Sequence, residues 1–100
     1  VLLIAVHLHA HEGNITALRS FEEEALALVR QFGGELLAAF KPANADNSAD
    51  IPDEIHLLRF PSQAAFDAYR NSPETAALAP KRTAAIRKTV IFLSEEIITY

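Results

Sequence analysis

The sequence predicts a single α+β domain whose antiparallel sheet carries its helices on one face. Three observations predict it. Residues 1–9 alternate as a strand does, and residues 15–32 carry apolar side chains at helical spacing. Further short apolar runs at 35–41, 53–60 and 89–93 are set apart by Gly, Pro or another helical pattern. One hundred residues suit one hydrophobic core, so the domain is expected to span residues 1–100 without a linker.

In the first run Leu2, Ile4, Val6 and Leu8 share one face, while Val1, Leu3, Ala5, His7 and His9 share the other. Both faces are mostly apolar, which marks a central strand. Asn14 is placed to cap the first helix, whose apolar stripe is Ile15, Leu18, Phe21, Ala25, Leu28, Val29 and Phe32, and Gly33-Gly34 stops it. Glu22, Glu23, Glu24 and Arg30 read as its solvated face. Residues 35–41 form a second strand ending at Pro42, and 43–52, rich in Ala, Asn and Asp, form a loop. Residues 53–60 form a third strand between Pro52 and Pro61. Ser62 caps a second helix with Ala65, Phe66 and Tyr69 on its apolar side, and Ser72-Pro73 interrupts it. A helical stretch from Glu74 to about Arg87, bent or broken at Pro80, leads to a strand at 89–93, with a short extra strand expected at 97–100.

The order is β-α-β-β-α-β, the ferredoxin-like split βαβ, with the first and third strands central and both helices on one face. The other face stays bare. Val1, Leu3, Ala5, Ile55, Leu57 and Ile91 are expected there, an apolar patch that a second copy would cover. The chain is therefore expected to be a homodimer with a small cavity between the two sheets.

Composition narrows the function. Half the residues are hydrophobic and 22% are charged, as in ordinary globular proteins. The longest apolar runs fall short of the ~20 residues a membrane-spanning helix needs. The opening run reads as a strand and not a signal peptide, and the absence of an initiator Met fits a natural start upstream of Val1. A chain without Cys has no disulfide or thiolate chemistry, which suits a cytoplasmic location. A net charge of −4 argues against nucleic acid as a partner. No cofactor pattern is evident, because Gly33-Gly34 follows a helix, whereas phosphate-binding glycine loops precede one.

The stretch FPSQAAFDAYRNSPETAALAPKR follows a strand that ends in Arg59-Phe60. It resembles the domain-of-unknown-function family numbered 1330, within the dimeric α/β-barrel superfamily, at Phe60, Pro61, Ser62, Phe66, Tyr69, Ser72, Pro73, Glu74 and Arg82. Phe32-Gly33-Gly34 is similar to the family's aromatic-Gly-Gly helix end. The resemblance implies the same barrel-forming fold and mostly marks its punctuation. The family commonly has an acidic residue before its Phe-Pro and a basic one late in the strand after Gly-Gly. Arg59 and Ala39 stand there in this chain, so no role resting on that pair carries over. Relatives in the superfamily include cofactor-independent monooxygenases, lactone isomerases and haem enzymes, which leaves the chemistry open.

His7, His9 and His11 lie at spacing two, on the face expected to line the dimer cavity. With the third strand taken as parallel to the first, Arg59 is expected beside His7 or His9. Such a cluster would hold a small organic acid, since Arg pairs bidentately with carboxylates and a neutral imidazole serves as a general base. His7, His9 and Arg59 are therefore the candidate catalytic or binding residues, with His7, His9 and His11 as an alternative metal set. His56 is expected on the helix side as a structural histidine, Tyr69 as a packing residue, and Tyr100 as a possible hydrogen-bond donor to a cavity. Ser62 reads as a cap and not a nucleophile. Three functional expectations stay open: a dimer binding a small organic acid between its sheets, a cofactor-independent monooxygenase or isomerase with a His base and Arg anion holder, and a structural dimer without a ligand.

Overall fold

Strand β1 (Leu2–Ala10) runs through the middle of a four-stranded sheet, flanked by β3 (Glu54–Phe60) and β4 (Ile86–Ser94), with β2 (Glu35–Phe40) outside β3. The structure, a computed structural model, describes residues 1–46 and 50–100. Every neighbouring pair is antiparallel. The β-α-β-β-α-β order and the central position of the first and third strands are as the sequence predicts. The helical connection from β3 to β4 is more broken than expected, consisting of α2 (Gln63–Arg70), α3 (Pro73–Ala77) and α4 (Ala79–Ala85). Pro80 sits in the first turn of α4, where a missing N–H costs nothing, so the break falls at Leu78.

Helix α1 (Ile15–Gln31) ends in a Schellman motif: Gly33 N–H donates to the Arg30 carbonyl at 3.1 Å and Gly34 N–H to that of Val29 at 2.9 Å. Gly33 has φ +86°, a conformation that suits glycine. Ser62 and Ser72 cap α2 and α3, each accepting a backbone N–H at 3.1 Å. Asn14 does not cap α1 with its side chain; its Nδ2 instead donates to the Ala84 carbonyl at 3.0 Å, tying the start of α1 to the end of α4.

Leu2, Ile4, Leu58 and Phe60 from the sheet bury against Val29 of α1 and Phe66 of α2. Phe60, Phe66 and Tyr69 form an aromatic cluster with ring centroids 5.3 to 6.2 Å apart. The expected loop at 43–52 has no strand or helix in its described part, and 47–49 lie outside the described residues. Residues 97–100 do not form the short extra strand.

Register decides the faces. Ile91 pairs with Val6 and Phe92 with Ala5, so Ile91 lies on the helix side and Phe92 takes the bare-face place expected for Ile91. Leu3, Ala5, Leu57 and Phe92 share the bare face, where Leu57 is 37% and Phe92 58% exposed.

Candidate functional site

The sequence-predicted cluster is not brought together. β1 and β3 are antiparallel, because the right-handed β1-α1-β2 crossover makes β1 and β2 run the same way and the β2–β3 hairpin then reverses direction. Arg59 consequently pairs with Leu3, at the far end of β1 from the histidines, while His7 lies opposite Ile55. Its guanidinium faces Glu35 at 3.4 Å in an exposed ion pair.

The histidines also diverge. His7 lies on the bare face with its ring edge-on to Phe92. His9 is buried, and Arg87 donates to its Nδ1 at 3.4 Å; Asp50 bonds both Arg87 and Lys88 at 3.3 Å. Burial lowers the His9 pKa against the pull of Asp50, with Lys88 and Arg87 adding to the effect. His9 is thus a neutral acceptor at neutral pH, and its 3.7 Å approach to Asp50 is not an ion pair there. A bulge between His9 and Ala10 ends the alternation, and His11, past the strand, donates Nε2–H to the Thr83 carbonyl at 3.1 Å. The three histidines therefore do not converge, and among the described residues no group of three His, Cys, Asp or Glu side chains is arranged to hold a metal ion.

The larger cavity lies under the helices. It has a volume of about 410 Å³ and apolar walls that include Val6, Phe21, Val29, Leu58 and Ile91. Glu22, His56, Tyr69, Arg70, Thr75, Arg82 and Thr89 supply its polar lining.

Glu22 and His56 form its chemical centre. The His56 ring is held between two carboxylates, with Nδ1 3.0 Å from Glu22 Oε2 and Nε2 2.9 Å from Glu54 Oε1. Arg19 Nε donates to the other Glu54 oxygen at 2.7 Å. Burial opposes ionisation of Glu54, but hydrogen bonds from His56 and Arg19 outweigh it and hold its pKa below the ordinary value. Glu54 therefore stays anionic and orients the imidazole by accepting its Nε2–H. Burial pushes Glu22 the other way, up to about 7, with the His56 charge opposing and Glu54 adding.

Glu22 Oε1 has no protein hydrogen bond among the described residues, and no buried side-chain oxygen there lacks a partner. The Glu22 side chain lines the cavity. Burial thus brings a carboxyl with a pKa of about 7 to the wall of a largely apolar chamber.

Sequence reasoning placed His56 on the correct side but missed Glu22, reading it with Glu23 and Glu24 as solvated surface. Glu22 follows Leu18 by four residues and precedes Ala25 by three, so helical spacing alone puts it on the apolar stripe. A lone acid on that stripe was the available signal.

The model of the family "Domain of unknown function (DUF1330)" matches residues 5–95. No curated protein matches the chain in sequence. Among solved structures, At3g17210 from Arabidopsis thaliana is similar with a TM-score of 0.82 and 13% identity, covering 100% of this chain and 99% of that one. A dabb family protein with a ferredoxin-like fold from Mesorhizobium loti is similar with a TM-score of 0.69 and 14% identity, covering 96% of each chain. A protein described as an antibiotic biosynthesis monooxygenase is similar with a TM-score of 0.68 and 17% identity, covering 98% of this chain and 100% of that one. At such identities the likeness shows the shared ferredoxin-like fold. With the family model spanning nearly all of the sheet and its helices, the chain belongs to the DUF1330 family and has a ferredoxin-like fold.

Proposed function

We propose that this protein binds a small organic molecule in the cavity between its helices and its sheet and transfers a proton there, with Glu22 as general base and acid. The observation that carries the reading is the Glu22 carboxyl, which lines the cavity with Oε2 3.0 Å from His56 and whose pKa burial pushes up to about 7. In the forward step Glu22 Oε1 takes a proton from an acidic C–H of the bound molecule, and the electron pair moves onto an adjacent carbonyl oxygen. The His56 ring, 3.0 Å from Glu22 and oriented by Glu54, offsets the charge on Glu22. Return of the proton to a different carbon completes an isomerisation. A monooxygenase reaction without a cofactor would begin with the same proton removal, so this step serves both enzyme expectations.

The test is exchange of α-hydrogens for deuterium in a panel of enolisable ketones and keto acids, followed by NMR in heavy water. Wild type should exchange at least one compound, with a rate rising through pH 7. Glu22→Gln should lower that rate by about a hundredfold or more, the usual contribution of a positioned base. Equal exchange by the variant, or no exchange by wild type, would sink the reading.

The bare sheet face supports a second proposal, a homodimer closed over Leu3, Ala5, Leu57 and Phe92, which surround a shallow depression of about 200 Å³ with Leu37. A ligand held between the two sheets would meet His7 first, with His9 behind it and Arg59 at the opposite end. A cytoplasmic location belongs to this same reading and rests on the chain's lack of Cys.

A further inference from the structure

The cavity under the helices has two chemically different parts. Glu22 and His56 form the acid/base part. Tyr69 and Arg70 of α2, Thr75 of α3 and Arg82 of α4 form the other. The cations outside the cavity are largely committed, since Arg19, Arg59, Lys81, Arg87 and Lys88 each pair with a carboxylate. Arg70 stacks its guanidinium 5.0 Å from the centre of the Phe66 ring. Arg82 lines the cavity, and among the described residues it makes no ion pair and its side chain no hydrogen bond. The Tyr69 hydroxyl likewise has no protein partner there. Burial raises its pKa, with the Arg82 charge opposing and Glu22 adding, and all three residues line the one cavity.

Taking the cavity as the ligand site, we infer that its ligand is an amphipathic carboxylate, with the carboxylate on Arg82 and the Tyr69 hydroxyl and the apolar body against Phe21, Val29, Leu58 and Phe66. A guanidinium without an acidic partner, in the same cavity as a hydroxyl free to donate, suits a planar carboxylate. Phe21, Val29, Leu58 and Phe66 give the walls apolar surface, which adds affinity for hydrocarbon. Bound this way, the molecule presents the part beyond its carboxylate to Glu22, which makes Arg82 and Tyr69 the groups that set substrate class and Glu22 the group that acts on it.

Calorimetric titration of the full chain with trans-cinnamate and with neutral cinnamamide tests the inference. Cinnamate should bind more tightly than the amide. Arg82→Ala should weaken cinnamate binding about ten- to a hundredfold, the range for a hydrogen bond to a charged group, and leave the amide unchanged. Arg30→Ala, at an exposed position outside the cavity lining, should change neither. Arg82 is exposed, so near-ultraviolet circular dichroism of its variant should match wild type. If the amide binds as tightly as cinnamate, or Arg82→Ala leaves cinnamate affinity intact, the carboxylate inference is overturned while the cavity reading stands. If neither compound binds, both are overturned.

Discussion

Glu22 ties stability to function within one side chain. Its carboxyl has an ordinary value of 4.5 and a folded value of about 7, raised first by burial. A group whose pKa rises on folding gives its full stability below its unfolded value and loses it as pH climbs through the folded one. Between about pH 4.5 and 7 the protein should therefore lose stability on the order of 3 kcal/mol, from 1.36 kcal/mol per pKa unit. Glu54 works in the opposite sense: its lowered pKa adds stability above the ordinary carboxyl range that is lost only in more acid solution. The two windows do not overlap. Urea unfolding at pH 5, 6.5 and 8 should show wild type weakening with pH and Glu22→Gln nearly flat; parallel curves for the two proteins would mean that Glu22 ionises as an exposed acid does. Of this site, His56 was legible as a helix-side residue from its alternation with Leu58 and Phe60, and Glu22 was legible by helical spacing. Their contact was not, because it joins a helix to a strand through sheet register.

At the scale of elements, the turn between α1 and β2 shows how local rules and packing meet. Gly33 takes the left-handed conformation that ends the helix, as a Gly pair after an apolar stripe predicts. Gly34 is required for a different reason. A Cβ there would lie 2.7 Å from both Val29 Cγ1 and the Phe60 ring, inside the principal core. Gly34→Ala should cost about 1–3 kcal/mol by overpacking, read as a lower midpoint in thermal unfolding. An unchanged midpoint would show that the ring of Phe60 yields freely. The sequence marked the turn, whereas the close approach of β3 that makes Gly34 irreplaceable comes from pairing remote in the chain. The bulge after His9 is a similar case, since it turns His11 from the sheet face to α4, and no spacing pattern in His7, His9 and His11 announces it.

For the whole molecule, the sheet has one face under helices and one face bare, and Leu57 and Phe92 stand exposed on the bare one. A second copy covering them should appear in sedimentation equilibrium at micromolar concentration. Leu57→Asp, which adds a charge at a site already exposed in the monomer, should weaken that association about a hundredfold or more while the monomer stays folded. A wild-type monomer would remove the second proposal and leave the cavity under the helices untouched. By itself the sequence determined the order of strands and helices, the cap at Ser62, the stop at Gly33-Gly34 and the apolar character of both sheet faces. Each of these rests on periodicity or backbone preference within a few residues. Tertiary structure decided that Arg59 lies away from the histidines, that Ile91 faces the helices and that Glu22 meets His56. Those outcomes depend on strand direction and register, where a shift of one residue exchanges the faces, so they become definite only when distant segments pair.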